Sequence, residues 1–134
     1  MDGSTRFLVV DDYSNIRNML KLQIGEFGFS SPVQEAEDVD KGIAKLEELH
    51  GTSEQIQFIV SDWNMPNKTG LDFLNFVRSS DKFKDLPFLI LTTESEQAKV
   101  MSAISAGVSN FLLKPWEQEE LSEKIKQCWD KHHK

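Results

Sequence analysis

The chain has 134 residues, of which 39% are hydrophobic and 28% are charged, and its formal net charge is −7. This length fits one domain, so we expect a single domain over residues 1–134 with enough apolar side chains for a core. The excess of acidic side chains argues against nucleic-acid binding, which depends on clustered Lys and Arg. The single cysteine, Cys128, excludes an intramolecular disulfide and is typical of a reducing compartment.

The sequence shows neither a membrane span nor a secretory signal. Its longest apolar run, at 86–91, is far shorter than the roughly 20 residues that cross a bilayer. The N-terminus lacks both the basic start and the apolar stretch of a signal peptide. We therefore expect a complete mature chain that is soluble, cytoplasmic and not inserted in a membrane.

The first half of the chain predicts two strand–helix units. An apolar run at 6–10 predicts a buried strand, and apolar residues at three- and four-residue steps then predict a helix over 14–27, closed by Gly28. A weaker second strand is predicted at 32–36. The same helical spacing predicts a second helix over 39–49.

The second half predicts three more units. The predicted strands lie at 56–61, 87–91 and 110–113. The predicted helices contain 71–77, 95–106 and 117–134, with Ser95 as the N-cap of the middle one. The last helix begins with glutamates and ends with Lys and His residues, a polarity that suits the helix dipole.

Strands that alternate with helices predict an α/β protein with a mostly parallel sheet, because parallel neighbours need a crossover connection. In open sheets of this kind, ligands bind beyond the carboxyl ends of the strands. The residues that directly follow four of the predicted strands carry useful chemistry: Asp11, Asp12, Asp62, Thr92 and Lys114. We expect them to converge at one edge of the sheet.

Three carboxylates at one edge need a compensating cation, because they cannot all stay ionised comfortably without one. Oxygen ligands that leave room for water are those that Mg²⁺ prefers. Taken singly, the aspartates have ordinary interpretations as helix caps and turn residues. Their joint occurrence at consecutive strand ends predicts a Mg²⁺ site beside a carboxylate nucleophile.

Five landmarks occur in order along the chain. They are Asp11-Asp12, Asp62 to Pro66 with Gly70, Thr92 to Glu94, Ala106-Gly107 and Lys114-Pro115. In this pattern the chain resembles, from Phe7 to about Trp129, the receiver domains of two-component response regulators, most closely the single-domain chemotaxis regulators of the CheY type. The resemblance implies a doubly wound, flavodoxin-like (βα)5 three-layer sandwich with five parallel strands in the order 2-1-3-4-5.

The resemblance implies a role for each residue at the strand ends. Asp62 would be the phosphoacceptor, whose carboxylate attacks a phosphohistidine or a small acyl phosphate. Thr92 and Lys114 would contact the phosphoryl group, and the Lys114–Pro115 bond is a candidate for cis geometry. The implied Mg²⁺ site consists of Asp12 as a direct ligand, Asp11 holding the ion through water, Asp62 and the backbone carbonyl of Asn64.

The resemblance also implies residues that tune and transmit the signal. Asn64 and Thr93 would set the rates at which phosphate is gained and lost. Phe111 stands where CheY proteins commonly carry tyrosine, and we expect it to be biased inward because it lacks a hydroxyl group. The implied output face comprises Glu96, Lys99, Val100, Phe111 and Lys124. Glu96 adds a negative charge where motor-binding regulators tend to carry lysines.

The implied partners are a CheA-like histidine kinase as phosphodonor, the flagellar switch protein FliM and a phosphatase. We expect a monomer that signals by protein contact and that assists its own phosphorylation and dephosphorylation without being a classical enzyme. One alternative is a CheY paralogue that drains phosphate from a kinase or regulates a non-flagellar partner. An aspartyl-phosphate phosphatase would instead need Asp-x-Asp after strand 1 and a cap domain. A flavodoxin-like electron carrier would need a hydroxyl- and glycine-rich loop there.

Four further features are interpreted as structural. We expect Phe73, Phe76 and Phe88 to pack in the core, and Cys128 to be a buried small hydrophobe. Trp63 is expected to be partly exposed beside the acidic edge. His132 and His133 are expected to lie in a frayed tail, as chain ends often do.

Overall fold

In the computed structural model of the protein, residues 1–93 and 97–133 are described. Strands and helices alternate along these residues. The strands are β1 (Phe7–Val10), β2 (Gln34–Ala36), β3 (Phe58–Asp62), β4 (Phe88–Thr92) and β5 (Asn110–Leu113). The helices are α1 (Ser14–Glu26), α2 (Val39–Leu49), α3 (Gly70–Ser79), α4 (Gln97–Ser105) and α5 (Gln118–His132).

The five strands form one parallel sheet in the order β2-β1-β3-β4-β5, which confirms the predicted fold. Every residue of β1, β3 and β4 is buried, as expected for strands whose two faces are both covered by helices. The register pairs Val10 with Ser61, Asp62 with Leu91, and Thr92 with Leu113. The carboxyl ends of these strands therefore meet at one edge.

Alternate residues of the strands supply two apolar clusters, one on each face of the sheet. Leu8 and Val10 contribute to the cluster beneath α2, α3 and α4, which also contains Phe73 and Phe88. Their rings meet edge to face with centroids 5.4 Å apart. Phe76 is partly buried against this cluster, so the predicted core role of all three phenylalanines is confirmed.

The second cluster lies beneath α1 and α5. It contains Phe7 and Val9 from β1, together with Leu20, Ile24, Leu121 and Ile125 from the two helices. Cys128 is fully buried there, as predicted, and burial raises the pKa of its thiol to about 12. A thiol in this environment stays protonated and unreactive at neutral pH.

The strands extend further toward the carboxyl edge than the sequence indicated. Asp62 and Thr92, predicted to follow β3 and β4, are the last residues of those strands. Asp62 pairs with Leu91, and the Trp63 N–H donates to the Leu91 carbonyl at 3.0 Å. A polar residue can continue a parallel ladder because the pairing uses only its backbone. The predicted cap Ser95 lies outside the described residues.

Two expectations about single residues are wrong. Trp63 is only 3% exposed, because it packs into the cluster beneath α3 instead of lying beside the acidic edge in solvent. His132 does not lie in a frayed tail: α5 extends to this residue, and its Nε2 atom lies 2.7 Å from the Ser109 hydroxyl oxygen. Among the described residues, no helix has the length and apolar character needed to cross a membrane.

Candidate functional site

The carboxyl edge of the sheet brings together the three aspartates that the sequence singled out. Asp11 and Asp12 follow β1, and Asp62 ends β3, the neighbouring strand. Each offers one carboxylate oxygen, and these oxygens all lie within 4.8 Å of one another. The predicted convergence of the aspartates is therefore what the structure shows.

Asp62 lies at the floor of this cluster and is 3% exposed. Burial raises the pKa of its carboxyl from 3.8 to about 6, and Lys114 opposes that rise. The Lys114 ammonium donates a hydrogen bond to Asp62 Oδ1 at 2.6 Å. The Asp62 carboxylate thus lies beside the Lys114 ammonium, but this ion pair offsets only part of the free-energy cost of burying the charge.

Asp11 is fully buried, and burial raises the pKa of its carboxyl as well. Its Oδ1 atom accepts a hydrogen bond from the Tyr13 N–H at 2.9 Å, and its Oδ2 atom lies 3.8 Å from the Lys114 ammonium. Within the described residues, Asp11 Oδ2 and Asp12 Oδ1 are buried oxygens that accept no hydrogen bond.

Buried carboxylate oxygens are normally paired, so two oxygens that accept no hydrogen bond from the described residues are suited to contact a cation. The donor set consists of hard oxygens around an open cavity, which suits Mg²⁺ because that ion keeps several waters. Asp12 is partly exposed at the rim, where a hydrated ion could enter. The residues present therefore fit a divalent cation, and the cluster could bind a metal.

Lys114 reaches the acidic cluster from the end of β5. Its backbone N–H donates to the Thr92 carbonyl at 2.7 Å, which continues the pairing of β4 with β5. The peptide bond to Pro115 is cis, as expected. Because β4 separates β3 from β5, the lysine side chain crosses one strand to reach Asp62.

Gly70, the first residue of α3, is required by the packing behind Asp62. A Cβ atom at this position would lie 2.4 Å from the Asp62 carbonyl oxygen, closer than real contacts allow. The Gly70 N–H donates to the Trp63 carbonyl at 2.8 Å, which closes the loop after β3. The glycine landmark thus has a steric cause, since the helix starts against the backbone of Asp62.

An open cavity of about 480 Å³ lies above Asp62. Its lining includes Asp12, Tyr13, Asn64, Met65, Thr93 and Lys114. Asn64 is exposed and Thr93 half-buried, and both predicted rate-tuning residues border the open space above Asp62. Thr92 is buried at the end of β4, one strand from Asp62. Sequence reasoning assigned no role to the Tyr13 and Met65 side chains.

The predicted output face is only partly where it was expected. Val100 is only 7% exposed on α4, which leaves little of its side chain accessible for the predicted role in this face. Lys99 is exposed, and Glu96 lies outside the described residues. The structure instead exposes Met101 and Ile104 on α4, two residues that sequence reasoning missed.

Phe111 is half-buried on β5. The Lys124 ammonium from α5 lies 5.4 Å from the centroid of its ring. A cation over an aromatic face is attracted to it, and this contact gives the partly exposed ring a favourable environment without a hydroxyl group. The expected inward bias of Phe111 stays a prediction.

Comparisons of the chain with a family model and with known proteins all point to the same family. Residues 7–126 match the response regulator receiver domain. The chain is 35% identical to the chemotaxis protein CheY of Pseudomonas aeruginosa over 126 residues, covering 94% of this chain and 97% of that protein. It is 38% identical to the chemotaxis protein CheY1 of Helicobacter pylori over 120 residues, covering 90% and 93%.

A solved structure with the same fold is that of the chemotaxis response regulator CheY4 of Vibrio cholerae. It has a TM-score of 0.80 and 31% sequence identity, and the match covers 92% of this chain and 98% of that chain. The fold, the acidic edge and these relatives agree with one another. The chain belongs to the response regulator receiver domain family, and within that family it is CheY-like.

Proposed function

We propose that Asp62 accepts a phosphoryl group from a histidine kinase in a Mg²⁺-dependent reaction, and that the chain is a single receiver domain over residues 1–134. The observation that carries this proposal is the acidic cluster itself. A buried carboxylate lies 2.6 Å from the Lys114 ammonium and beside two carboxylate oxygens that have no hydrogen-bond partner within residues 1–93 and 97–133. CheY-like receiver domains are signalling proteins and not classical enzymes, which agrees with a site that holds an acceptor.

The transfer is a displacement at phosphorus. An Asp62 carboxylate oxygen forms the new P–O bond while the P–N bond of the donor phosphohistidine breaks and its electron pair stays on the imidazole. Asp11, Asp12, Asp62 and the Asn64 carbonyl would hold Mg²⁺, which when bound offsets negative charge on the phosphoryl oxygens. Lys114 supplies a second positive charge, already placed at Asp62.

Two of the proposed roles concern the steps after phosphoryl transfer. Thr92, at the end of the neighbouring strand, would donate its hydroxyl group to a phosphoryl oxygen. Movement of Thr92 would change the space next to Phe111, whose half-buried ring would then shift inward. Phosphorylation acts in this scheme by changing the relative stability of two conformations.

The output would pass through the α4–β5–α5 face, with Lys99, Phe111 and Lys124 as contact residues. Exposed Met101 and Ile104 add an apolar surface on α4 that a partner could cover. We propose a CheA-like kinase as donor and FliM as partner in chemotaxis, for a monomer located in the cytoplasm. A phosphatase, or the protein itself, would remove the phosphate.

The alternative is a paralogue that drains phosphate from the kinase or controls a different partner. Glu96 favours this alternative by charge, since it stands where motor-binding regulators tend to carry lysines. Rim charges mainly alter association rate and partner choice. A pull-down with the N-terminal FliM peptide, with and without beryllofluoride and Mg²⁺, separates the two: activation-dependent capture supports motor binding, and its absence supports the alternative.

The central test is phosphorylation by acetyl phosphate, followed by intact mass. The wild-type protein should gain one phosphoryl group only when Mg²⁺ is present. Asp62→Asn should gain none, whereas Asp81→Asn, which removes an exposed acidic side chain, should behave as wild type. Normal labelling of Asp62→Asn would overturn the proposal. Sustained turnover of a phosphomonoester would instead identify a phosphatase.

A further inference from the structure

Tyr13 is an aromatic side chain placed at the entrance of the cavity above Asp62. It is the single tyrosine of the chain, and it is 62% exposed. Its backbone is fixed: the N–H donates to Asp11 Oδ1 at 2.9 Å, and the carbonyl accepts from the Arg17 N–H at 3.2 Å at the start of α1. The backbone that carries the ring is therefore held in place, while the ring itself lies mostly outside the core.

The cavity has an apolar side next to this ring. Met65 and Pro66 line the cavity together with Tyr13, while Asp12, Asp62 and Lys114 supply its charges. Met65 is buried in the apolar cluster beneath α3, so the cavity wall at this residue is anchored to the core. With a volume of about 480 Å³, the cavity has space for more than a phosphoryl group.

The position of the leaving group is set by in-line displacement. The attacking and leaving atoms lie on opposite sides of phosphorus, roughly in line. Asp62 is at the floor of the cavity and 3% exposed, so the leaving group must point toward the entrance. Tyr13, Met65 and Pro66 lie along the cavity wall that leads there.

We propose that Tyr13 is a specificity-determining residue that contacts the leaving group and favours a planar imidazole over a small non-aromatic group. This inference rests on the proposed function of Asp62. Imidazole can stack on the phenol ring, and a phosphoimidazole protonated on its second nitrogen adds a cation–π attraction. As the P–N bond breaks, its electron pair stays on the ring nitrogen and neutral imidazole leaves.

The experiment compares three small phosphodonors on the wild-type protein, Tyr13→Ala and Tyr13→Phe at saturating Mg²⁺. Phosphoimidazole carries the aromatic leaving group, whereas phosphoramidate and acetyl phosphate do not. Tyr13→Ala should lower the second-order rate constant with phosphoimidazole about five- to tenfold, the size expected for loss of one aromatic contact. Its rate constants with the other two donors should change less than about twofold, because neither donor stacks.

Tyr13→Phe keeps the ring and should retain the donor preference. Leu22→Ala, which removes an exposed apolar side chain elsewhere on α1, is the matched control and should change none of the rates. Equal losses with all three donors, or no loss with phosphoimidazole, would overturn the inference while leaving the acceptor role of Asp62 intact. Failure of the wild-type protein to react with any donor would overturn both.

Discussion

At the carboxyl edge of the sheet, burial raises the pKa of Asp11 and Asp62, and within the described residues two of the site's buried carboxylate oxygens accept no hydrogen bond. At the opposite edge, before β4 and β5, the polar cluster of Arg78, Ser109 and His132 is internally paired. We call this second cluster the amino-edge cluster. The first edge has buried carboxylate oxygens that a cation could balance, whereas the polar side chains of the second edge bond to one another and to nearby backbone carbonyls.

The hydrogen bonds of the amino-edge cluster define its protonation. The Ser109 hydroxyl oxygen accepts from the Phe88 N–H at 3.0 Å and from Arg78 Nη2 at 3.3 Å. Its proton is therefore available for His132 Nε2, which lies 2.7 Å away. A nitrogen that accepts must be unprotonated, so His132 is neutral here with its proton on Nδ1.

Arg78 connects this cluster to the surrounding backbone. Its guanidinium donates to the carbonyls of Gly107, Lys84 and Leu86 at 2.8, 3.0 and 2.7 Å. These bonds join α3 to the segments that precede β4 and β5, while His132 brings in the end of α5. One edge of the sheet is therefore organised for stability, while the other carries an electrostatic cost that a ligand can relieve.

The largest expected effect is at the acidic edge. Asp62→Asn should raise the free energy of unfolding of the metal-free protein at pH 7.5 by about 2–3 kcal/mol, because a pKa raised from 3.8 to about 6 means that the charged form is disfavoured by folding. Urea unfolding measures this change. Asp81→Asn is the control and should change stability little, and a destabilised Asp62→Asn would refute the account of the acidic edge.

The opposite sign is expected at the amino-edge cluster. Arg78→Ala should lower the free energy of unfolding by about 2 kcal/mol, because several backbone carbonyls and the Ser109 hydroxyl lose a charged donor. Labelling of Asp62 by acetyl phosphate should persist, since Arg78 is at the other edge of the sheet. Lys126→Ala, at an exposed position on α5, serves as the control. An unchanged unfolding curve for Arg78→Ala would show that these bonds contribute little.

The acidic edge could be predicted from the sequence because it depends on local rules. Apolar residues with a 3.6-residue period predict the helices, and short apolar runs predict the strands. Parallel strands bring their carboxyl ends to one edge regardless of loop conformation. Asp11, Asp62 and Lys114 each follow or end a strand, so their convergence required no knowledge of side-chain packing. The strand order came from the family resemblance and not from these patterns.

The amino-edge cluster could not be predicted in this way. Arg78 and His132 are separated by 54 positions, and neither belongs to a motif with fixed spacing. Both reach the Ser109 hydroxyl, and this depends on how α3 and α5 pack on opposite faces of the sheet, which is a tertiary property. The same limit explains Trp63 and Val100, whose burial is decided by which side of a loop or helix faces the core.

An intermediate effect is expected from Mg²⁺. At a concentration ten times its dissociation constant, the ion should stabilise the wild-type protein by about 1.4 kcal/mol, because it binds the folded state and not the unfolded one. EDTA should reverse the gain. Arg78→Ala should keep the full response, whereas Asp12→Asn, which removes a carboxylate from the cluster, should lose most of it. An equal response from both variants would mean that the ion binds elsewhere.

The smallest expected effect is a difference in how the two edges of the sheet make the free energy of unfolding depend on pH. His132 has a lowered pKa, chiefly because it is partly buried, and Arg78, His133 and Lys131 lower it further while Asp85 opposes them. Its contribution to stability is therefore present above pH 6.5 and is lost as the pH falls through the folded-state pKa. Asp62 has a raised pKa, so its contribution is present below pH 3.8 and is lost as the pH rises through about 6.

Unfolding curves of the metal-free protein between pH 5 and 8 can separate these opposing trends. The stability of wild type relative to His132→Gln should fall as the pH decreases below 6.5, because protonated His132 can no longer accept the Ser109 hydroxyl. The stability of wild type relative to Asp62→Asn should change in the other direction and rise toward pH 5. Parallel curves for wild type and His132→Gln would show that His132 keeps its protonation state on folding, and would remove the assignment of a neutral imidazole at the amino-edge cluster.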